Sequence, residues 1–159
     1  MPHPQSPDTA IRILVDADAC PVKDEIYRVA IRHKASVYIV SNSPFRVPVT
    51  ASVHRVVVSG SFDAADDWIA EQSDARCIVI TSDILLADRA IKLGAQVLAP
   101  TGKPFTAASI GSAIATRAIM ADLRAGVSDV SGGPAPFSKS DRSQFLQALD
   151  QILVRLARS

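Results

Sequence analysis

The sequence has few cysteines, few aromatic residues and few glutamates, and no apolar run is long enough to cross a membrane. Its two cysteines, Cys20 and Cys77, show no pairing pattern, so we expect a reduced, cytoplasmic protein rather than a disulfide-bonded secreted one. No charged segment followed by an apolar one opens the chain, so we expect no signal peptide. The net charge of +1 excludes a strongly basic nucleic-acid coat protein.

The acidic residues are nearly all aspartates. The chain has 14 aspartates and two glutamates, although glutamate is the better helix former. Aspartate is preferred at helix N-caps, and its carboxylate binds hard cations. The excess of aspartate therefore points to caps, loop ends and metal ligands.

The hydrophobic pattern alternates between strand and helix, in a chain that is 48% hydrophobic and 21% charged, as is typical of a globular domain. Strands are predicted at 11–15, 36–41, 54–58, 76–81 and 95–99, and helices at 22–33, 63–72, 84–93, 106–125 and 138–158. This order predicts an α/β fold with three layers, a mainly parallel sheet of about five strands and a helical C-terminal extension. We expect residues 1–10 to be a flexible tail and 11–159 a single domain, with 104–159 as the extension.

Acidic or small polar residues follow four of the predicted strands. Because ligands of parallel α/β sheets bind beyond the C-terminal ends of the strands, we expect these side chains to meet at one edge. The residues concerned are Asp16, Asp18, Asn42, Asp63, Asp66, Ser82 and Asp83.

This acidic edge predicts a metal site. Grouped carboxylates repel one another unless a cation lies between them, and Mg²⁺ or Mn²⁺ suits an all-oxygen site. We expect Asp16, Asp18, Asp63 and Asp83 to bind the ion, and Asp16, Asp66 and Asp83 to be catalytic, with Asp66 as a ligand or as the group that orients the attacking water. For any single aspartate the alternative is helix capping, since Asp63 and Asp83 stand at predicted helix starts.

Six segments carry a family resemblance: ILVDADACPVK, SNSPFRVP, GSFDAADDWI, VITSDILLADRAIKLGA, LRAG and GGPAPF. In this order they resemble the YaiI/YqxD family of bacterial proteins, which is similar to a branch of the PIN-like/NYN nuclease fold. The resemblance implies that Asp16, Asp63 and Asp83 hold Mg²⁺ or Mn²⁺ and that RNA is the substrate. The chain departs from the NYN pattern twice: Asp18 stands where that pattern has Asn, and its late Asp-x-Asp pair is Asp83-Ile-Leu85 here.

Basic residues are concentrated in the C-terminal part. Residues 1–102 hold 10 Lys/Arg against 12 Asp/Glu, whereas residues 103–159 hold 7 against 4. A carboxylate site that acts on a polyanion needs positive charge nearby, so we expect the extension to border the acidic edge, with Arg117 facing it. The predicted substrate- or phosphate-binding residues are Lys23, Asn42, Arg46, Ser82, Arg117, Arg124 and Arg142.

The leading hypothesis is therefore a Mg²⁺- or Mn²⁺-dependent nuclease that acts on RNA. A haloacid-dehalogenase-like phosphatase is an alternative, with Asp16 as nucleophile and Asp18 as acid, although Ala19-Cys20-Pro21 replaces the Gly/Thr turn usual there. A non-catalytic module that retains a metal site and binds RNA or a partner protein is the third hypothesis.

Trp68 lies at a core spacing of its helix and is interpreted as core rather than as a base-stacking platform.

Overall fold

A computed structural model describes residues 10–17, 20–42, 52–59, 63–126 and 137–158. The strands are β1 Arg12–Asp16, β2 Ser36–Ser41, β3 Val53–Val57, β4 Cys77–Ile80, β5 Gln96–Leu98 and β6 Pro104–Phe105. The helices are α1 Lys23–His33, α2 Ala64–Gln72, α3 Ile84–Lys92, α4 Ala107–Gly126 and α5 Lys139–Ala157. Residues 1–9 lie outside the described residues, so the predicted tail stays a prediction, as does the single-domain boundary.

The strands form one sheet in the order β3-β2-β1-β4-β5-β6. The first five are parallel to their neighbours, and β6 is antiparallel to β5. The predicted fold class, a mainly parallel α/β sheet with a helix at the C-terminus, is confirmed. The short strand β6 is an addition to the predicted five.

Helices cover both faces of the sheet. Successive side chains of a strand point to opposite faces, so apolar side chains on both faces require a helix to cover them. Ile13 and Val15 of β1 are fully buried in a cluster with α1 and α5, whereas Leu14 is fully buried in a cluster with α2, α3 and the start of α4. A strand buried on both faces is apolar throughout, which explains the continuous hydrophobic run before Asp16. Each of these fully buried side chains contributes roughly 1.5–3 kcal/mol to the free energy of unfolding.

The last helix, α5, packs along α1. Near its start, the Arg142 guanidinium donates to the Pro21 carbonyl at 2.9 Å and contacts both carboxylate oxygens of Glu25 at 3.3 Å. Further along, Asp150 lies 2.6 Å from the His33 ring nitrogen. Because early residues meet early residues and late meet late, the two helices run in the same direction.

Among the described residues, no helix is both long and apolar enough to span a membrane.

Candidate acidic site at the switch point of the sheet

The strand order defines where a ligand site is expected. From β1 the chain moves outward to β2 and β3, and it then crosses to β4 on the other side of β1. The crevice beyond the C-terminal ends of β1 and β4 is therefore the topological switch point, where doubly wound sheets bind their ligands. Asp16 ends β1, and Thr81 directly follows β4.

Asp16 and Thr81 are joined across this crevice. Both continue the strand positions whose side chains face α2 and α3, since Leu14 of β1 and Val79 of β4 lie in that cluster. Thr81 is only 2% exposed, and its hydroxyl Oγ1 donates to Asp16 Oδ2 at 3.0 Å. The same hydroxyl oxygen accepts a hydrogen bond from the Asp83 backbone N–H at 3.0 Å. Thr81 thus ties the end of β1 to the start of α3.

Asp83 serves as the N-cap of α3. Its Oδ1 accepts from the backbone N–H groups of Leu85 at 2.9 Å and Leu86 at 3.3 Å, so the capping interpretation is confirmed for this residue. Both cap bonds use Oδ1. Capping is therefore compatible with a ligand role through the second carboxylate oxygen.

Asp63 occupies the N-cap position of α2, but its side chain makes no cap hydrogen bond. The capping interpretation is therefore wrong for Asp63. Its backbone is at φ −95° and ψ 10°, outside the extended conformation in which an N-cap side chain reaches the N2 or N3 amide. The side chain is exposed at the end of the helix that faces the switch point.

The carboxyl of Asp66 is partly buried and interacts with the charges of the other acids. Burial, followed by the charges of Asp83, Asp16 and Asp63, raises the pKa of Asp66 to about 6, while Arg89 acts weakly in the opposite direction. Four predicted site aspartates, from β1, α2 and α3, therefore share one electrostatic environment. A set of carboxylates that raises the pKa of one of its members is a recognised mark of a functional site.

The fit to a divalent cation depends on the donors. Among the residues that the structure describes, no three His, Cys, Asp or Glu side chains lie close enough together to hold a metal ion. Asp18, one of the four predicted ligands, lies outside the described residues. Mg²⁺, however, usually binds through one or two carboxylates and keeps waters and phosphate oxygens in its other positions. The all-oxygen character of the site fits this mode.

Three of the predicted phosphate-binding residues lie near the C-terminal end of β1. Asn42 follows β2 and Ser82 follows β4, so these two exposed residues flank the end of β1 on its two neighbouring strands. Lys23 begins α1, which follows the same strand end. Arg46 lies outside the described residues, as do the side chains of Arg117 and Arg124 on α4.

Arg142 lies near the end of β1 but has protein partners. Its guanidinium contacts Pro21 and Glu25, and it lies 4.9 Å from the centroid of the Phe137 ring. These contacts hold the first turn of α5 against the β1–α1 connection. The phosphate-binding role of Arg142 stays a prediction.

Thr81 and Arg89 were not singled out from the sequence. Thr81 is the last residue of a predicted strand. If this strand end is buried, its hydroxyl requires a hydrogen-bond partner, and the nearby aspartates are candidates for that partner. Arg89 pairs with Asp67 at 2.9 Å on the outer surface of α2 and α3. Asp88 pairs with Lys92 at 2.9 Å, so Asp67 and Asp88 both pair with basic side chains at the surface.

The fold and this site define a doubly wound α/β protein with an acidic site at its switch point. The sequence model described as "Uncharacterized BCR, YaiI/YqxD family" matches residues 14–155, and the chain belongs to this family. The resemblance to the YaiI/YqxD family that the six segments indicate is thereby confirmed, whereas the similarity to the PIN-like/NYN nuclease fold stays a prediction.

Bacterial relatives are similar over nearly their whole length. A UPF0178 protein of Sphingopyxis alaskensis is 71% identical over 146 residues, which are 92% of this chain and 95% of that protein. A UPF0178 protein of Brucella ovis is 58% identical over 154 residues, with 96% and 94% covered. One of Bradyrhizobium diazoefficiens is 54% identical over 151 residues, with 95% and 90% covered. Comparison with solved structures gives no match.

Proposed function

We propose that the protein is a Mg²⁺- or Mn²⁺-dependent nuclease that acts on RNA. The observation that carries the proposal is the link from Asp16 through Thr81 to Asp83 at the switch point of the sheet, where the charges of these acids also act on Asp66. Helix capping explains Asp83 alone. It does not explain Asp63, whose side chain makes no cap hydrogen bond. Nor does it explain why the partly buried carboxyl of Asp66 lies among three other acids.

The metal ion would be held by Asp16 with help from Asp63, Asp83 or Asp18. Asp16 is positioned by the Thr81 hydroxyl, and Asp83 would use the oxygen that does not cap α3. A divalent cation bound here would polarise a phosphodiester and supply an activated water at neutral pH. The coordination of Mg²⁺ by only one or two carboxylates matches the open spacing of the described acids.

Asp66 has the properties of a general base. In the metal-free protein a pKa of about 6 leaves the ionised form of Asp66 in the majority at neutral pH. A bound cation would lower this pKa, and the ionised carboxylate could then accept a hydrogen bond or a proton from an attacking water. Asp66 lies in the first turn of α2, one helical turn after Asp63. In this proposal Asp66 orients the water beside the ion that Asp16 and a neighbouring aspartate hold.

The backbone at this edge favours an anionic substrate. The N-cap positions of α1 and α2 are Val22 and Asp63, and neither residue makes a side-chain cap hydrogen bond. The amide groups at helix N-termini carry a positive partial charge that attracts phosphate oxygens. Lys23 adds a full positive charge at the start of α1. These groups offset the repulsion between the carboxylates and a polyanion.

The proposal is tested by incubating single-stranded RNA with the purified protein and Mn²⁺. We expect slow cleavage that chelation stops, that Asp16→Asn abolishes, and that Asp88→Asn leaves unchanged. Asp88 is the matched control because it is an aspartate of α3 whose partner is Lys92 on the surface. Hydrolysis of phosphomonoesters with a phosphorylated Asp16 would replace the proposal by the phosphatase. Binding of metal and RNA without any cleavage would replace it by the non-catalytic module.

A further inference from the structure

Three aromatic side chains form a row beside the acidic site. The rings of Tyr38 on β2 and His54 on β3 are stacked, with centroids 4.7 Å apart and planes inclined by 21°. The Trp68 ring on α2 is tilted against Tyr38, with ring centroids 6.1 Å apart and planes inclined by 41°. This row includes the only tryptophan of the chain and one of its two tyrosines.

The row lies on the same face of the sheet as the acidic site. Tyr38 is in register with Leu14 on one side and with His54 on the other. Leu14 and Asp16 are two residues apart on β1, so their side chains share a face, and Tyr38 and His54 share it with them. The row therefore starts at α2, which carries Asp66, and runs across β2 to the outermost strand β3.

Burial decreases along the row. Trp68 and Tyr38 are half-buried and pack against the hydrophobic cluster beneath α2, whereas His54 is exposed. The interpretation of Trp68 as core is compatible with this, since it supports Tyr38 from the core side. A stacked pair that served packing alone would gain most by burying both rings. This one leaves its outer member in solvent.

The register fixes the distance from the row to the site. Tyr38 lies one strand away from Asp16 and two residues back along the strand, which corresponds to about 8 Å between their Cα atoms. His54 lies one strand further away, at about 12 Å from the Asp16 Cα atom. A polynucleotide with a phosphate at Asp16 can reach this row within a few nucleotides.

We infer that the exposed ring of His54, supported from below by Tyr38, is a stacking platform for a base of single-stranded RNA whose phosphate lies at the acidic site. The inference depends on the proposed function for the position of that phosphate. Base stacking on aromatic rings tolerates any base, because every base has a π-face. The platform would therefore bind single strands, whose bases are free to stack, with little preference for sequence.

The test compares two ligands with the same phosphates. A fluorescent single-stranded RNA of about eight nucleotides and an abasic oligomer of equal length are bound to the protein in Ca²⁺, which limits cleavage, and followed by anisotropy. We expect the RNA to bind about tenfold more tightly than the abasic oligomer. His54→Ala should remove most of this preference, and His54→Phe should retain it, because an aromatic ring remains for stacking.

Val57→Ala is the matched control. Val57 is an exposed residue of the same strand, 45% accessible, but it points to the opposite face from His54. Its substitution should leave the base preference as in the original protein. Equal affinity of the original protein for the two oligomers, or an unchanged preference in His54→Ala, would overturn the platform.

Hydrolysis of bis(4-nitrophenyl) phosphate with Mn²⁺ separates this inference from the proposed function. This small diester can occupy the acidic site without reaching His54. Hydrolysis without a base preference would leave the nuclease proposal standing and overturn the platform. A base preference lost in His54→Ala, in a protein that hydrolyses neither the diester nor RNA, would support the platform and overturn the nuclease.

Discussion

The hydroxyl of Thr81 donates a 3.0 Å hydrogen bond to Asp16 Oδ2 and accepts one from the Asp83 backbone. One buried side chain thereby fixes the relative position of two acids at the switch point, one that ends β1 and one that caps α3 after β4. The geometry of the site depends on this link, because Asp16 and Asp83 are 67 positions apart in the chain.

Thr81→Val should impair both stability and activity. The substitution keeps the β-branched shape but removes the donor to a carboxylate, which costs about 1–3 kcal/mol of unfolding free energy when the partner is charged. Urea unfolding measures that loss, and RNA cleavage with Mn²⁺ should fall with it. Thr81→Ser is the control, since it keeps the hydroxyl and should retain most of the activity. Equal activity of the valine and serine variants would contradict a positioning role for the hydroxyl.

Asp66→Asn should stabilise the metal-free protein at neutral pH. Because the folded-state pKa of Asp66 is about 6, above its usual value of 3.8, the folded protein retains a proton that the unfolded chain loses. The unfolding free energy therefore falls as pH rises from about 4 to about 6, and the asparagine variant avoids that fall. Since Asp66 is only partly buried, solvent screening limits the gain to about 1 kcal/mol above pH 6.

Urea unfolding at pH 4 and pH 7 measures this difference, with Asp88→Asn as the control. Added Mn²⁺ should reduce the advantage of Asp66→Asn, because a cation favours the ionised carboxylates. An asparagine variant that is no more stable than the original protein at pH 7 would show that the acids are too far apart to repel.

Arg142→Ala should lower the unfolding free energy by about 1–2 kcal/mol. The substitution removes the contacts to Pro21 and Glu25 and leaves the Glu25 carboxylate, 13% exposed, without this partner. Arg32→Ala is the control, because the Arg32–Asp150 pair is 3.5 Å long, its arginine is 60% exposed, and such pairs contribute little. Equal effects of the two substitutions would contradict a special role of Arg142 in attaching α5.

The salt dependence of RNA binding tests the role that the sequence suggested for Arg142. If the guanidinium also contacts a phosphate, Arg142→Ala should reduce the slope of log affinity against log salt by about one. An unchanged slope would restrict Arg142 to its structural contacts.

Gly102→Ala should destabilise the protein more than Gly94→Ala. Both glycines have φ of +92°, where a side chain is strained. A Cβ at Gly102 would also lie 2.7 Å from the Gln144 backbone of α5, whereas at Gly94 the nearest atom is 3.7 Å away. We expect a cost of about 1–2 kcal/mol at Gly94 and clearly more at Gly102, measured by thermal unfolding. The reverse order would contradict the packing of the β5–β6 turn on α5.

Most of the sheet was predictable because its core strands are continuous apolar runs. The run Ile13, Leu14 and Val15 predicts a strand that is buried on both faces, and the aspartates that follow it indicate the C-terminal edge of the sheet. Strand β6 was not predictable, since two residues, one of them a proline, give no period and pair only through the turn at Gly102.

The roles of the individual acids were only partly predictable. Asp63 and Asp83 both precede helices, but only Asp83 caps one, because capping depends on backbone angles that the sequence does not specify locally. The partners of Asp16 and Arg142, at Thr81 and Glu25, lie 65 and 117 positions away. Such contacts follow from the packing of distant elements rather than from any local pattern.

The most direct test of the central claim is a crystal structure of the protein soaked in Mn²⁺, with anomalous scattering recorded. The account predicts an anomalous peak at the switch point, about 2.1 Å from a carboxylate oxygen of Asp16, with Asp63 or Asp83 completing the protein ligands. A crystal of Asp16→Asn soaked in the same way should lack this peak. The absence of a peak beside Asp16 in the original protein at millimolar Mn²⁺ would contradict the claim that these aspartates form a metal-dependent catalytic site.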